Sequence, residues 1–306
     1  MDLLPKCFAQ EFEASGFDLE HARPLFNRAF GIKGRLFLGL SRLLGKERIK
    51  FLVAEDRNKL VGTTIVSRGE KVGYISLVMV HPDYRRRGIA TRLVKRAIEY
   101  LHKREMERAV LNVVSTNAPA ISVYSKLGFE EFERVANMFG DTNSISVREG
   151  ANQFVIRPYQ ESDVDDVYSL IRASEDPKRL KVSGFSKKPL KSSFWQRLSG
   201  DPTPKRIVAL DAGKIVGYAS TAHFTEYGTR LAGLDDIRSI HIKPEDKTRG
   251  IERALIGAAI DEIRKGGAKR VRAMVPMTKQ ELLEALNDSG FKEAFTLVGM
   301  SKELRG

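Results

Sequence analysis

The chain repeats itself, and this limits its possible folds more than any other feature. Residues 78–94 read VMVHPDYRRRGIATRLV, and residues 240–256 read IHIKPEDKTRGIERALI. Laid together without gaps, Pro82 meets Pro244, Gly88 meets Gly250, Ile89 meets Ile251 and Leu93 meets Leu255. The same register later matches Leu127-Gly128-Phe129 with Ser289-Gly290-Phe291, and Met138 with Met300. Earlier, VAEDRNKLVG (53–62) resembles VALDAGKIVG (208–217) at an offset shorter by seven residues, so an insertion falls in between. Self-similarity on this scale reads as duplication of a whole folding unit.

Each copy yields the same coarse outline. A helix comes early, at His21–Phe30 and again at Ser162–Ala173, where Ser162 or Asp163 is placed to cap it. A hairpin turns at Asp56–Lys59 and at Asp211–Lys214. The apolar strand Gly73–Val80 leads through a basic turn into a helix with Ile89, Leu93, Ala97, Ile98 and Leu101 on one side. Ala109–Val114 is a further strand, Ala118–Leu127 a short helix, and a strand or two ends the copy. Strands interleaved with helices predict an α/β (α+β) layered domain in each copy, with domains at 1–148 and 152–306 and a polar linker near Asp141–Asn152.

Composition narrows the classes. With 306 residues, 42% hydrophobic and 30% charged, the chain can bury two sizeable cores. It has no apolar run of about 18 residues, and its start (MDLLPKCFAQEFEASG) lacks the basic, then apolar, pattern of a secretory leader, so a cytoplasmic protein without a membrane partner is expected. Cys7 is the single cysteine, which excludes an intramolecular disulfide and a cysteine-built metal site. A net charge of +13, shared by both halves, suits phosphates, nucleic acid or acidic protein surfaces, and equally suits a basic soluble chain. No separate nucleic-acid recognition motif accompanies it.

The chemistry-bearing segment is the strand end Val78-Met79-Val80, the turn HPDY, and Arg85-Arg86-Arg87-Gly88-Ile89-Ala90-Thr91 opening a helix. A helix start offers unpaired N–H groups and partial positive charge, which suit a pyrophosphate. Gly88 and Ala90 are small enough for close approach, and the arginines add charge-assisted bonds. Beyond the next strand comes NAPAISVYSKLGF, with Asn117, Tyr124 and Gly128-Phe129.

The pattern R-x-x-G-x-A followed by N-x-x-A-x-x-x-Y-x-x-x-G-F resembles the two signature motifs of the GNAT acetyltransferase superfamily, over roughly residues 50–135 and in outline over the second copy. The resemblance implies two tandem GNAT domains, each a mixed, mostly antiparallel central sheet flanked by helices. It implies acetyl-CoA as co-substrate, no metal, and transfer of acetyl to an amine of a protein or small molecule. Backbone groups of Val78, Met79 and Val80 would hold the acetyl and pantetheine portion, and Arg85 to Thr91 the pyrophosphate. Asn117 would orient the pantetheine, and Tyr124 would face the sulfur as the acid for the leaving thiolate. No base is assigned: the strand GYISLVMV has no carboxylate, and Glu55 and His81 read more readily as surface residues.

The second copy carries Glu252 at the place of Ala90, Lys279 at Asn117 and Leu286 at Tyr124. A carboxylate at a helix start repels phosphate, so this copy is expected to be non-catalytic. The basic segments 31–50 and 178–198, with Arg42, Lys187, Lys188 and Trp195, read either as solvated helices or as a surface for an acidic or phosphate-bearing acceptor. Two other functions compete with acetyl transfer: an acyl-CoA-responsive scaffold, against which an intact Tyr124 counts, and nucleic-acid binding.

Overall fold

The computed structural model describes residues 49–56, 59–146, 154–183, 185, 187, 190, 204–226 and 229–305. The expected helix at 21–30, most of segment 31–50, Arg42, Lys188 and Trp195 lie outside them. In chain order the strands are β1 (Ile49–Asp56), β2 (Lys59–Arg68), β3 (Val72–Val80), β4 (Arg108–Val114), β5 (Glu130–Asp141), β6 (Val155–Pro158), β7 (Lys205–Asp211), β8 (Lys214–Glu226), β9 (Thr229–Ile242), β10 (Arg270–Pro276) and β11 (Lys292–Glu303). The helices are α1 (Ile89–Lys103), α2 (Ala118–Lys126), α3 (Val164–Ser174), α4 (Pro177–Ser183), α5 (Ile251–Lys265) and α6 (Gln280–Asp288). No helix among the described residues is long and apolar enough to cross a membrane.

Contacts divide the chain into two compact units. The first comprises Met1–Glu133, Val182–Gly184 and Leu297–Gly306, and the second Arg134–Lys181 and Phe185–Thr296. In the first, β1, β2 and β3 pair antiparallel, β3 meets β4 in parallel, and β4 pairs antiparallel with the end of β11. Helix α1 covers one face because Ile89, Leu93, Val94, Ala97 and Leu101 fall along a single stripe, while Arg92, Lys95, Arg96 and Glu99 stay exposed. Gly73 lets α1 close on the sheet: a side chain there would run into Leu101.

The second unit repeats this plan. Strands β6 to β9 pair antiparallel, β9 meets β10 in parallel, and β10 pairs antiparallel with the end of β5. Period-two alternation sends Ile207 and Ala209 into the core under α5, and Val208 into the core under α3. The insertion noted in the sequence lengthens the β8–β9 hairpin to strands of 13 and 14 residues, against 10 and 9 in β2 and β3. Asp163 does not cap α3 as its position suggests. Its buried carboxylate instead accepts two hydrogen bonds from Arg157, at 2.7 and 2.8 Å, and one from the Gln160 N–H.

The strand that ends each copy lies largely in the other unit: Val135–Asp141 of β5 line up with β10, and Leu297–Glu303 of β11 with β4.

Candidate active site

The site begins where two parallel strands separate. Strands β3 and β4 are in register only from Val72 opposite Arg108 to Tyr74 opposite Val110. Beyond that point β3 runs on to Val80 and β4 to Val114 without a shared register, leaving a wedge. A bulge helps to open it. Register with β2 slips between Ser76 and Met79, and Leu77 takes a left-handed φ of 52°. Nothing in the sequence marks Leu77 for this conformation.

Past the bulge the strand is regular again. The His81 N–H donates to the Val61 carbonyl of β2, at 2.9 Å. Alternation then turns the Met79 N–H to β2 and the Val80 N–H to the wedge. The Val80 carbonyl, on that same edge, accepts from Arg85 Nε at 3.3 Å.

The turn that follows is open. A short 3-10 turn at Pro82–Tyr84 is capped by His81, whose Nδ1 accepts from the Asp83 N–H at 3.3 Å. Arg86 and Gly88 are both left-handed, with φ of 64° and 73°. Gly88 is the N-cap of α1 and offers no side-chain hydrogen bond, so the N–H groups of the first turn have no side-chain cap. A β-carbon built on Gly88 meets nothing within 4 Å. Arg85, Arg86 and Arg87 are exposed around this space, with Arg87 stacked over Tyr84 at 4.9 Å and donating to the Asp83 carbonyl. Ile89 contributes only backbone here, since its side chain is buried with Val61 and Leu93; Ala90 and Thr91 are half-buried. Open space, uncapped N–H groups and three arginines fit a pyrophosphate.

Tyr124 sits on α2, 7% exposed and edge-on to Phe129 at 6.2 Å between ring centroids. Val78 packs against the same core cluster that contains Tyr124. Burial pushes the Tyr124 phenol up to about 12, so it stays protonated at neutral pH. Asn117 has a nearer partner than the pantetheine: its Oδ1 caps α2, accepting from the Ala120 N–H at 3.2 Å. Glu55 is exposed on β1, and His81 is engaged in its cap. Among the described residues no group of three or more His, Cys, Asp or Glu is placed to hold a metal ion.

Residues 10–129 match the family model described as the acetyltransferase (GNAT) family. They belong to that family.

The chain is 40% identical over 100 residues to an uncharacterized N-acetyltransferase of Methanocaldococcus jannaschii, covering 30% of this chain and 44% of that protein. It is 33% identical over 88 residues to N-alpha-acetyltransferase 30 of Schizosaccharomyces pombe, covering 27% and 59%. The chain thus spans about half the length of these curated relatives. Among solved structures, a tandem GNAT protein from the clavulanic acid biosynthesis pathway aligns with a TM-score of 0.60 over 85% of both chains at 14% identity, a likeness of fold alone. A GCN5-related N-acetyltransferase from Sphaerobacter thermophilus aligns at 0.61 over 85% of this chain and 82% of that one, at 17% identity.

The cleft of the second unit has the same framework and different contents. Strands β9 and β10 share register only from Leu234 to Ile237, so this wedge also opens. Here, however, the 3-10 turn runs from Pro244 through Arg249 straight to Gly250. Arg249 is bound to Asp211 and Asp246 at 2.7 and 2.9 Å, where Arg87 meets only a backbone carbonyl and a ring. Glu252 is buried at the helix start, and Leu286 fills the tyrosine's place. Lys279 pairs with Glu175, whose other oxygen pairs with Arg179. His241, almost wholly buried, lies 3.0 Å by Nδ1 from Ser174 Oγ. A cavity among the described residues here, lined by Ile240, Ile242, Glu252, Lys279 and Leu282, is about 40 Å³. That is room for about three waters. Glu175, Arg179 and His241 carry no motif, so reading the sequence missed them.

Proposed function

We infer that this protein is an acetyl-CoA-dependent N-acetyltransferase whose first copy holds the co-substrate and whose second copy does not. The observation that carries this reading is the opened wedge of the first unit. An uncapped helix start with a free glycine surface lies at one end, and Tyr124 belongs to the core cluster against which Val78 of β3 packs. Acetyl-CoA would supply an acetyl group activated as a thioester.

The protein's own groups then have definite tasks. Residues Arg85 to Thr91 hold the pyrophosphate, and the edge of β3 at Val78 and Val80 aligns the reacting end. The Val80 N–H faces the carbonyl oxygen as it gains charge, a contribution of about 3–4 kcal/mol for one such donor. The amine nitrogen forms its bond to the acetyl carbon, the carbon–sulfur bond breaks, and the amine's surplus proton leaves through water. Tyr124 donates a hydrogen bond to the departing sulfur. Full transfer from a phenol near 12 to an ordinary thiolate (thiol pKa about 8.5) is uphill by about 5 kcal/mol. Tyr124 therefore completes its transfer only as the amine's proton is relayed to replace its own. The acceptor is a primary amine of a protein or a small molecule; the N-alpha-acetyltransferase relatives favour the protein class.

The test is calorimetric titration of the whole protein with acetyl-CoA, beside Gly88→Glu and Gly250→Glu variants. One site per chain, lost only in Gly88→Glu, is expected. A folded wild-type protein that binds no acetyl-CoA overturns the reading.

A further inference from the structure

The wall of the wedge needs support from outside its own copy. Beyond Val110, β4 has parted from β3, and over Leu111–Val114 its register is with Leu297–Met300 of β11. The same strand sends Val298 and Met300 into the buried cluster that contains Tyr124, and Leu304, the residue just after it, joins them. Its end is tied down at several points. The Leu304 N–H donates to the Glu107 carbonyl at 2.9 Å, His102 Nδ1 lies 3.0 Å from the Leu304 carbonyl, and Arg305 donates to the Glu105 carbonyl at 2.8 Å. Glu303 pairs with the buried Arg108.

In the repeat, β11 is the closing strand of the second copy. Its counterpart β5 serves the second unit, where Ala136 and Met138 lie in the core beneath α5. We propose that the closing strand of the second copy is a working part of the first copy's site, a rail that holds the open half of β4, with Met300 as a positioning residue for Tyr124. This rests on reading the first unit as the acetyl-CoA site. A strand with both edges free would close onto its neighbour or fray; pairing along one edge lets the other stay open to a ligand. A second copy whose own cleft is filled by Lys279 and Glu175 still has this strand to give.

The experiment compares Met300→Ala with Met138→Ala in the full chain. Both remove the same side chain from aligned, fully buried positions, so thermal unfolding provides a matched measure of damage. Met300→Ala is expected to lower turnover about tenfold or more and to weaken acetyl-CoA binding, with faster hydrogen exchange at Leu111–Val114. Met138→Ala is expected to leave both parameters within about twofold, and Met300→Leu to restore them. Equal functional loss in the two alanine variants, or none in Met300→Ala, overturns the proposal. If the wild-type protein binds no acetyl-CoA, the cofactor reading fails separately, and exchange still decides: unchanged protection of Leu111–Val114 in Met300→Ala removes the rail.

Discussion

The ammonium of Lys279 meets the carboxylate of Glu175, a side chain 3% exposed, at the point of the repeat where the first copy carries Asn117. Asn117 turns inward to cap its own helix. The longer lysine reaches an internal carboxylate instead, and the cleft fills with protein groups.

Removing one partner of that pair should be costly. Lys279→Met leaves a buried carboxylate with Arg179 as its remaining partner, and about 3 kcal/mol of stability should be lost in urea unfolding. Acetyl-CoA affinity at the first site should not change. The double variant with Glu175→Gln should be milder than Lys279→Met alone, because no buried carboxylate remains and Arg179, a third exposed, reaches water.

Tyr124→Phe should lower turnover by about 10- to 100-fold while acetyl-CoA affinity stays within about twofold. Its pH profile provides a further check. Since burial raises the phenol to about 12, no activity loss from its ionisation is expected below pH 10. The folded state holds this proton more tightly than the unfolded one. That contribution to stability is fully present below about pH 10 and is lost between about 10 and 12. An unchanged rate in Tyr124→Phe would remove its role.

His241 should produce an acid-side loss of stability. Burial first, then the charges of Lys279 and Arg179, hold its pKa well below the ordinary 6.5. The unfolded chain therefore takes up a proton that the folded protein refuses as pH falls below about 6.5, and stability drops from there. In His241→Gln the slope of unfolding free energy against pH should flatten below 6.5. A slope equal to that of the wild type would exclude His241 as its source.

Two glycines should separate folding from binding. Gly88→Ala adds a β-carbon to open space at a left-handed residue, so it should cost about 1–2 kcal/mol of stability and weaken acetyl-CoA binding about tenfold. Gly73→Ala drives a side chain into Leu101 and should cost about 3 kcal/mol with affinity kept. Denaturant unfolding and calorimetry on both variants check the contrast.

Much of the site was legible because it depends on neighbours along the chain. The strand at 73–80, the helix stripe from Ile89 to Leu101, the strand at 109–114 and the helix from Ala118 were read within a residue or two of where they lie. Each rests on local periodicity or on a glycine or proline that ends an element. The loss of Ala90, Asn117 and Tyr124 in the second copy was equally visible, since substitution is a property of sequence.

What replaced them was not. Glu175 follows the end of α3, Arg179 lies on α4 and His241 on β9, and only tertiary packing places them beside Lys279. The bulge at Leu77 likewise follows from how β3 must meet β2 while leaving β4, a demand that no local propensity expresses.

The sequence by itself determined that one layered outline occurs twice, where the main described strands and helices of the first copy run, and which copy keeps Ala90, Asn117 and Tyr124. Only the tertiary structure decided which strand completes which sheet. Met138 and Met300 have equivalent local patterns, so either could fill either core; long-range pairing chose, because backbone edges bond to whatever strand the fold brings alongside.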